Sequence, residues 1–290
     1  MTKPDLPRVT IPVLQTMKSN GEKISALTAY DFPTAKIVDQ AGIDIILVGD
    51  SLGMVVLGYE NTIPVTMEEM LHHTKAVTRG VKRALVVGDM PYFSFHQARQ
   101  KSVANASRFL KEAGARAVKI EGAGRKRLGL MAALVEAEIP VMGHVGLTPQ
   151  SIHHLGHFKV AGKISDEARR IIDEALRIED AGAFAVVLEC IPMELASIIT
   201  RRLRIPTIGI GAGPDCDGQI LVFHDLAGYS NGYLPKFVHR FAHLGDTIRD
   251  AVGEYRKAVN EGTFPDDAHS YHLKSKEVLK RILDEEEGKT

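Results

Sequence analysis

Four acidic residues stand directly after short apolar runs that are typical of buried β-strands. Asp50 follows IILVG, Asp89 follows ALVVG, Glu121 follows AVKI and Glu189 follows FAVVL. A residue in such a place is also a common turn former or helix N-cap. Because the first three follow consecutive strands, and neighbouring strands lie about 4.8 Å apart, parallel strands would bring their carboxylates together. The spacing predicts an acidic cluster at one edge of a parallel sheet.

Clustered carboxylates must be neutralised by protons or by a cation. Two like charges about 4 Å apart repel by roughly 4 kcal/mol at an effective dielectric of 20. The three candidates offer only oxygen ligands, and no Cys or His stands in phase beside them, which favours Mg²⁺ over zinc. We therefore predict that Asp50, Asp89 and Glu121 hold a Mg²⁺ ion that keeps open positions for a substrate.

Lys119 precedes Glu121 by two residues, so side-chain alternation places both on the same face of one strand. A lysine that points into a barrel needs an anion. That anion can be a substrate, or it can be one of the aspartates in a structural ion pair. By the same alternation Cys190 points away from Glu189 toward a helix, and we predict a small core residue there rather than a nucleophile.

Glu189 ends a very apolar run, and burial would raise the pKa of its carboxyl and suit it to removing a proton near neutral pH. The alternative is a helix-capping glutamate before Pro192. His144 follows the fifth apolar run and is placed between the acidic cluster and Glu189. It can donate a hydrogen bond to a developing oxyanion, or it can be a structural histidine of the core.

Two further motifs give weaker signals. GIGAG at Gly209–Gly213 resembles the phosphate loops of many barrels, but PDCDGQ follows it where a helix would be expected to begin. SIHHLGHF contains His153, His154 and His157, which include an i, i+4 pair. No glutamate stands in the position that zinc proteases use, so a zinc site is not favoured.

These side chains need a framework of consecutive parallel strands. Short β-branched runs alternate with helix-period segments, which indicates successive βα units. The predicted strands are Ile24–Ala29, Ile43–Val48, Ala84–Val87, Ala117–Ile120, Pro140–Gly143, Ala183–Leu188, Pro206–Ile210 and Ile220–His224. The predicted helices are Thr66–Val81, Gln97–Ala113, Leu128–Ala137, Ser165–Ala181 and Met193–Leu203. We expect Gly80, Gly114 and Gly182 to end helices in a positive-φ conformation.

The near-continuous apolar strands indicate burial on both faces, as in α/β folds. Eight units in about 240 residues fit a closed (β/α)8 TIM barrel. An open doubly wound sheet is the structural alternative, but it would usually carry a glycine-rich dinucleotide fingerprint after the first strand, where this chain has AYDFPT. We predict one barrel domain over residues 1–263, with a polar lead-in, and a charged tail over 264–290 that forms a terminal helix.

The composition excludes several classes of protein. The chain has 290 residues, of which 44% are hydrophobic, and its 36 basic and 36 acidic residues cancel. Without a basic excess we expect no nucleic-acid partner and no membrane surface, and no apolar run has the roughly 18 residues of a membrane span. Two cysteines without metal-ligand spacing, and an N-terminus without a signal-like apolar run, favour a cytoplasmic location.

The segments VGDSLGMVVLG, VGDMPY, VKIEG, GHVGLTPQ, VLEC and GIGAGPDCDGQ together resemble the motif series of the ketopantoate hydroxymethyltransferases, in the same order. The resemblance runs from about Thr10 to Tyr255. It implies a barrel of the phosphoenolpyruvate mutase and isocitrate lyase type that assembles as a homodecamer. It also implies transfer of a hydroxymethyl group from 5,10-methylenetetrahydrofolate to 3-methyl-2-oxobutanoate, with Mg²⁺, in pantothenate biosynthesis.

The resemblance also assigns roles to the residues singled out above. Asp50 and Asp89 would bind Mg²⁺, and Glu121 would complete the metal site directly or through water. Ser51, with Asp50, Asp89 and Lys119, would hold the 2-oxoacid. Glu189 matches the proton acceptor of the family.

Some positions depart from the family pattern. His157 stands where glycine is usual, Ala161 where glutamine is usual, and Ala123 replaces a frequent glycine.

Two other functions stay open at this point. One is a Mg²⁺-dependent 2-oxoacid lyase or mutase of the same superfamily that does not use folate, although the chain lacks the cysteine-bearing loop of those enzymes. The other is a barrel that only senses a 2-oxoacid, for which a proton acceptor would be unnecessary.

Overall fold

The computed structural model describes residues 7–155, 160–230 and 234–288. Eight parallel strands form a closed barrel in chain order, and β1 pairs with β8 to close it. The predicted (β/α)8 barrel is confirmed, and the open sheet is excluded. The strands are β1 Ile24–Thr28, β2 Ile45–Val48, β3 Leu85–Asp89, β4 Ala117–Lys119, β5 Val141–Gly146, β6 Ala185–Glu189, β7 Thr207–Ile210 and β8 Gly218–Leu221.

Helices follow the strands and also precede the first one. They are α1 Ile11–Asn20, α2 Phe32–Gln40, α3 Leu52–Val55, α4 Met67–Gly80, α5 Arg99–Lys111, α6 Arg125–Glu136, α7 Ile152–Leu155, α8 Ser165–Asp180, α9 Met193–Arg202, α10 Phe223–Leu226, α11 Leu244–Asn260 and α12 Lys276–Glu286, with 3-10 turns at Pro149–Ser151 and Asp267–His269. The expected polar lead-in therefore contains a helix, α1. Its buried Leu14 packs with the residues inside the barrel.

Six of the eight strands lie within two residues of their predicted bounds at each end, and β5 and β8 differ by three residues at one end. β5 continues through His144 to Gly146 because its residues pair with β6 up to Glu189. β8 begins earlier than predicted and ends at Leu221. The Phe223 amide then donates a 3.0 Å hydrogen bond to Thr28 Oγ1, and His224 lies in α10 instead of the strand.

The three glycines expected to end helices divide into two kinds. Gly114 and Gly182 have φ of 73° and 90°, as predicted. Gly80 is instead the last residue of α4 and has no positive φ. A Cβ there would lie 2.7 Å from the Phe32 carbonyl oxygen, so the close approach of α2 is the reason for this glycine.

Apolar side chains fill both sides of the barrel wall. In β2, Ile45 and Leu47 belong to the cluster inside the barrel, and Ile46 and Val48 belong to the cluster between the strands and the helices. This alternation explains the near-continuous apolar strands. It also fixes which residues at the carboxyl ends of the strands point into the barrel mouth.

The contacts divide the chain into one unit that ends at Phe241 and a second that begins at Ala242. The barrel lies in the first unit. The second contains α11, which the sequence analysis had grouped with the barrel, and α12, the helix predicted in the charged tail. In the part of the chain that the structure describes, no helix is both long and apolar enough to cross a membrane.

Candidate active site

The inner face of the strands carries charged side chains only near the carboxyl end of the barrel. Asp89 ends β3, and the barrel register pairs it with Lys119, the last residue of β4. Glu121 follows two residues later on the same face. By the same alternation of side chains along each strand, His144 in β5 and Glu189 at the end of β6 also point into the barrel. The alternation thus brings five predicted residues to one mouth of the barrel.

Lys119 and Asp89 form a buried ion pair. Lys119 Nζ donates to both carboxylate oxygens of Asp89, at 2.9 and 2.8 Å, and lies 3.8 Å from Glu121 Oε1. Lys119 is 4% exposed and Asp89 is 1% exposed. Burial alone would lower the pKa of Lys119, but the charges of Asp89, Glu121 and Asp50 raise it above its usual value. The lysine therefore carries a positive charge among the acidic residues.

Asp50 completes this acidic cluster from the loop after β2. Its amide donates to Asp89 Oδ2 at 3.3 Å, and its Oδ2 accepts a 2.9 Å hydrogen bond from Gln150 Nε2. Burial, and then the charge of Asp89, raise the pKa of Asp50 to about 7. The single positive charge of Lys119 therefore does not neutralise the cluster. With a pKa of about 7, the Asp50 carboxyl is partly protonated near neutral pH.

Gln150 is a site residue that the sequence analysis missed. Its side-chain amide donates to Asp50 and to the Met90 carbonyl oxygen, and its backbone amide donates to Glu121 Oε2 at 3.1 Å. The side chain is buried, and its Oε1 has no hydrogen-bond partner among the described residues. The signal was its place in GHVGLTPQ, just after β5. Gln150 links two of the three predicted metal ligands.

The chemistry of these donors fits a Mg²⁺ ion. Asp50 and Asp89 offer adjacent hard oxygen atoms, and the acidic residues outnumber the single lysine. In the described ranges, no three His, Cys, Asp or Glu side chains are spaced as a complete set of metal ligands. Mg²⁺ is commonly held by one or two carboxylates and completes its coordination with substrate and water. The aspartate pair has the character of such an open site, and Glu121 lies beside it.

His144 stands between Glu121 and Glu189. Its Nδ1 lies 3.7 Å from Glu121 Oε1 and its Nε2 lies 3.4 Å from Glu189 Oε2. Neither ring nitrogen has a hydrogen bond of good geometry within the described part of the structure. Burial, and then the charge of Lys119, hold the pKa of His144 well below its usual value. The imidazole is neutral and buried beside two carboxyl groups.

Glu189 faces the acidic cluster from the other side of β5. Burial raises the pKa of Glu189 to about 8 against the opposing charge of Lys119, and its side chain keeps 16% exposure. The N-cap of α9 is Pro192, with no side-chain cap hydrogen bond, so Glu189 does not serve as that cap.

Cys190, the next residue, does not have the properties of a nucleophile. Its φ is 49°, and burial raises the pKa of its thiol to about 12, so little of the reactive thiolate forms near neutral pH.

Ser51, the residue after Asp50, has its hydroxyl group positioned by Tyr30, which lies just after β1. The Tyr30 hydroxyl and Ser51 Oγ lie 2.8 Å apart, and Tyr30 is buried. The sequence analysis did not single out Tyr30, although it lies in the AYDFPT segment after β1. A fixed hydroxyl at Ser51 can donate a hydrogen bond to a bound anion.

A cavity of about 570 Å³ opens above Glu121 and Gln150. Its lining includes a cluster of neighbouring side chains, Tyr92, Phe95, His96 and Arg127. Arg170 and His153 also line it. Of the weaker motifs, GIGAG leads into β8 rather than into a helix. His157 lies outside the described residues. The cavity borders the acidic cluster through Glu121 and Gln150.

Comparison with known proteins relates the chain to one enzyme family. A family model described as ketopantoate hydroxymethyltransferase matches residues 8–267. Relatives named 3-methyl-2-oxobutanoate hydroxymethyltransferase include one from Thermoanaerobacter sp. (strain X514), 55% identical over 93% of this chain and 98% of the relative. One from Syntrophomonas wolfei is 52% identical over 95% of this chain and 99% of the relative.

Solved structures with the same fold come from a wider group of enzymes. Phosphonopyruvate hydrolase in complex with oxalate and Mg²⁺ has a TM-score of 0.59 and 16% identity, with 96% of each chain covered. 2,3-Dimethylmalate lyase, described as a member of the PEP mutase/isocitrate lyase superfamily, has a TM-score of 0.56 and 16% identity over 96% of each chain. The predicted barrel type is confirmed by these neighbours, which at this identity show the fold alone.

Proposed function

The chain belongs to the ketopantoate hydroxymethyltransferase family, and we propose that the residues at the mouth of its barrel carry out the reaction of that family. The enzyme transfers a hydroxymethyl group from 5,10-methylenetetrahydrofolate to 3-methyl-2-oxobutanoate and forms ketopantoate, in pantothenate biosynthesis. The observation that carries the assignment of residues is the position of Glu189. This carboxyl, with its pKa raised to about 8, faces a buried acidic cluster across a neutral histidine.

Asp50 and Asp89 are the proposed Mg²⁺ ligands, with Glu121 completing the site directly or through water. Bound there, Mg²⁺ would supply Lewis-acid polarisation of the 2-oxoacid. Lys119 pairs with Asp89 and adds a fixed positive charge where negative charge develops on the substrate. Ser51, oriented by Tyr30, donates a hydrogen bond to the 2-oxoacid.

Glu189 is the proposed general base. In its ionised form the carboxylate accepts the proton from C3 of 3-methyl-2-oxobutanoate, and the resulting carbanion forms a C–C bond to the one-carbon unit. One water molecule supplies the hydroxyl group of the product, and both carbon–nitrogen bonds to the folate break. Tetrahydrofolate leaves with its two nitrogens protonated, one by the proton taken from C3 and one by the second proton of the water. A carboxyl with a raised pKa is a stronger base than an ordinary glutamate, so proton transfer from carbon is less unfavourable. Neutral His144 can donate one hydrogen bond, either to Glu189 or to the developing oxyanion.

A direct assay tests this function and separates it from the alternatives. We expect ketopantoate to form only when 3-methyl-2-oxobutanoate, Mg²⁺ and 5,10-methylenetetrahydrofolate are all present. Turnover of a 2-oxoacid without folate would instead indicate a lyase or mutase. Binding of the 2-oxoacid with no proton exchange at C3 would indicate a sensor. Either result contradicts the proposed function.

We also propose a cytoplasmic homo-oligomer, a decamer by resemblance to the family. Helix α11 exposes an apolar stripe in the single chain, formed by Leu244, Ile248, Val252 and Tyr255. An amphipathic helix usually buries such a face. Sedimentation velocity of the full chain tests the assembly, and a sedimenting species of one chain would contradict it. Fractionation of cells that make the full chain tests the location, and recovery outside the cytoplasmic fraction would contradict it.

A further inference from the structure

Arg127 is a cation in the wall of the cavity, and no carboxylate of the described residues forms an ion pair with it. It lies in the first turn of α6, and its side chain folds back over Gly122, the residue after Glu121. Its Nη2 lies 2.6 Å from His96 Nε2, and its guanidinium stands 5.8 Å from the centre of the Phe95 ring. Its Nε is buried and has no hydrogen-bond partner among the described residues.

The other arginine of the cavity wall is paired. Arg170 lies 3.9 Å from Glu167 and 3.9 Å from Glu174 on its own helix. For Arg127 no carboxylate of the described ranges lies within ion-pair distance, since its one close polar partner is a histidine nitrogen. A guanidinium has five donors in a planar fork that matches a carboxylate. Most of these donors are therefore available to a ligand.

Local stability does not account for this residue. A cation in the first turn of a helix is disfavoured by the helix dipole. The first turn of α6 contains no acidic residue that would compensate, and Gly124 provides no side-chain cap. The position of Arg127 is thus better explained by a negatively charged ligand in the cavity than by the folding of α6.

We propose that Arg127 binds a carboxylate of the glutamyl tail of the folate co-substrate. This inference rests on the proposed function, because that function supplies a ligand with an aromatic ring followed by two carboxylates. Tyr92 lines the same cavity, lies 5.4 Å from the His96 ring between centroids, and is 41% exposed, so it can offer its ring to the p-aminobenzoyl ring. The one-carbon unit is then directed toward Glu121 and the acidic cluster at the floor of the cavity.

The experiment compares two co-substrates in two variants of the full-length protein. Arg127→Gln removes the charge in the cavity, and Arg125→Gln removes a charge from an exposed residue of the same helix turn. We expect Arg127→Gln to raise the KM for 5,10-methylenetetrahydrofolate about 10- to 100-fold, the range for loss of a charged hydrogen-bond partner. The kcat changes little, because the tail is remote from the reacting atoms.

With 5,10-methylenetetrahydropteroate, which lacks the glutamyl group, wild type and Arg127→Gln should have the same KM. Arg125→Gln should match the wild type with both co-substrates, and Arg127→Lys should fall between wild type and Arg127→Gln. An unchanged folate KM in Arg127→Gln, or an equal loss with both co-substrates, overturns the proposal.

A second readout separates binding from folding. Exchange of the C3 proton of 3-methyl-2-oxobutanoate needs no folate, so Arg127→Gln should keep the wild-type exchange rate. A parallel fall in exchange would show a structural role and overturn the proposal. If the wild type forms no ketopantoate, the proposed function fails by itself. Calorimetric binding of tetrahydrofolate and tetrahydropteroate to the wild type and Arg127→Gln then decides on Arg127 independently.

Discussion

His144 separates two carboxyl groups, with its Nε2 atom 3.4 Å from Glu189 Oε2 and its Nδ1 atom 3.7 Å from Glu121 Oε1. A neutral imidazole carries one N–H, so it can donate to only one of the two sides at a time. The group on the other side faces an acceptor nitrogen, which favours a protonated carboxyl there. The ring thus gives Glu121 and Glu189 different environments within a single buried site.

Glu189→Gln should abolish exchange of the C3 proton of 3-methyl-2-oxobutanoate and reduce ketopantoate formation by a factor of about 10² to 10⁴, the usual contribution of a general base. The amide keeps the size of the side chain, so the 2-oxoacid should still bind with nearly wild-type affinity. Proton NMR in deuterated buffer measures the exchange. Glu194→Gln, the same change at an exposed residue of α9, is the control. Wild-type exchange in Glu189→Gln would remove Glu189 as the base.

The raised pKa of Glu189 also predicts how stability depends on pH. The carboxyl titrates near 4.5 in the unfolded chain and near 8 in the folded protein. Its stabilising contribution is therefore fully present below about pH 4.5 and is lost as the pH rises through 8. Glutamine stays neutral, so metal-free Glu189→Gln should gain stability relative to the wild type across this interval, by at most about 1.4 kcal/mol per pH unit.

Urea unfolding of both metal-free proteins at several pH values measures this difference. The two free energies of unfolding should nearly coincide below about pH 4.5, diverge as the pH rises to about 8, and keep a constant difference above that. A difference that is constant with pH would show that Glu189 titrates normally in the folded state.

The sequence allowed the barrel and most of the acidic cluster to be predicted because both follow from local alternation. Once a strand is buried on both faces, alternation along it fixes that the side chains of Lys119 and Glu121 point to the same face. Gln150 and Tyr30 were missed because they reach the cluster from loops, and the path of a loop depends on tertiary packing. Likewise, nothing local to α6 indicates that the side chain of Arg127 folds back over Gly122.

The buried pair of Lys119 and Asp89 predicts a large effect on stability. Lys119→Met leaves an acidic cluster without its positive charge and removes both hydrogen bonds to Asp89. Breaking a buried ion pair on one side typically costs about 3–5 kcal/mol. We expect a loss of that size in urea unfolding, whereas Lys126→Met, at an exposed residue of α6, should change stability by less than about 0.5 kcal/mol.

A double variant tests the cause of that loss. Asp89→Asn removes the negative partner, so Lys119→Met combined with Asp89→Asn should be less destabilised than the sum of the two single variants. Additive losses would mean that Lys119 and Asp89 contribute to stability independently. The same variants also test substrate binding, because we expect Lys119→Met to lower the affinity for the 2-oxoacid.

Gln150 should control metal affinity without being a carboxylate ligand. Its side-chain amide holds Asp50 while its backbone amide holds Glu121, so it fixes the relative positions of two acidic groups. Groups that orient metal ligands typically contribute 10- to 100-fold to affinity. Gln150→Met, which keeps the length but removes the donor to Asp50, should weaken Mg²⁺ binding by a factor in this range, as measured by calorimetry. Gln100→Met, at an exposed residue of α5, should bind Mg²⁺ like the wild type. Equal affinity in Gln150→Met and wild type would mean that Asp50 is positioned by the loop backbone alone.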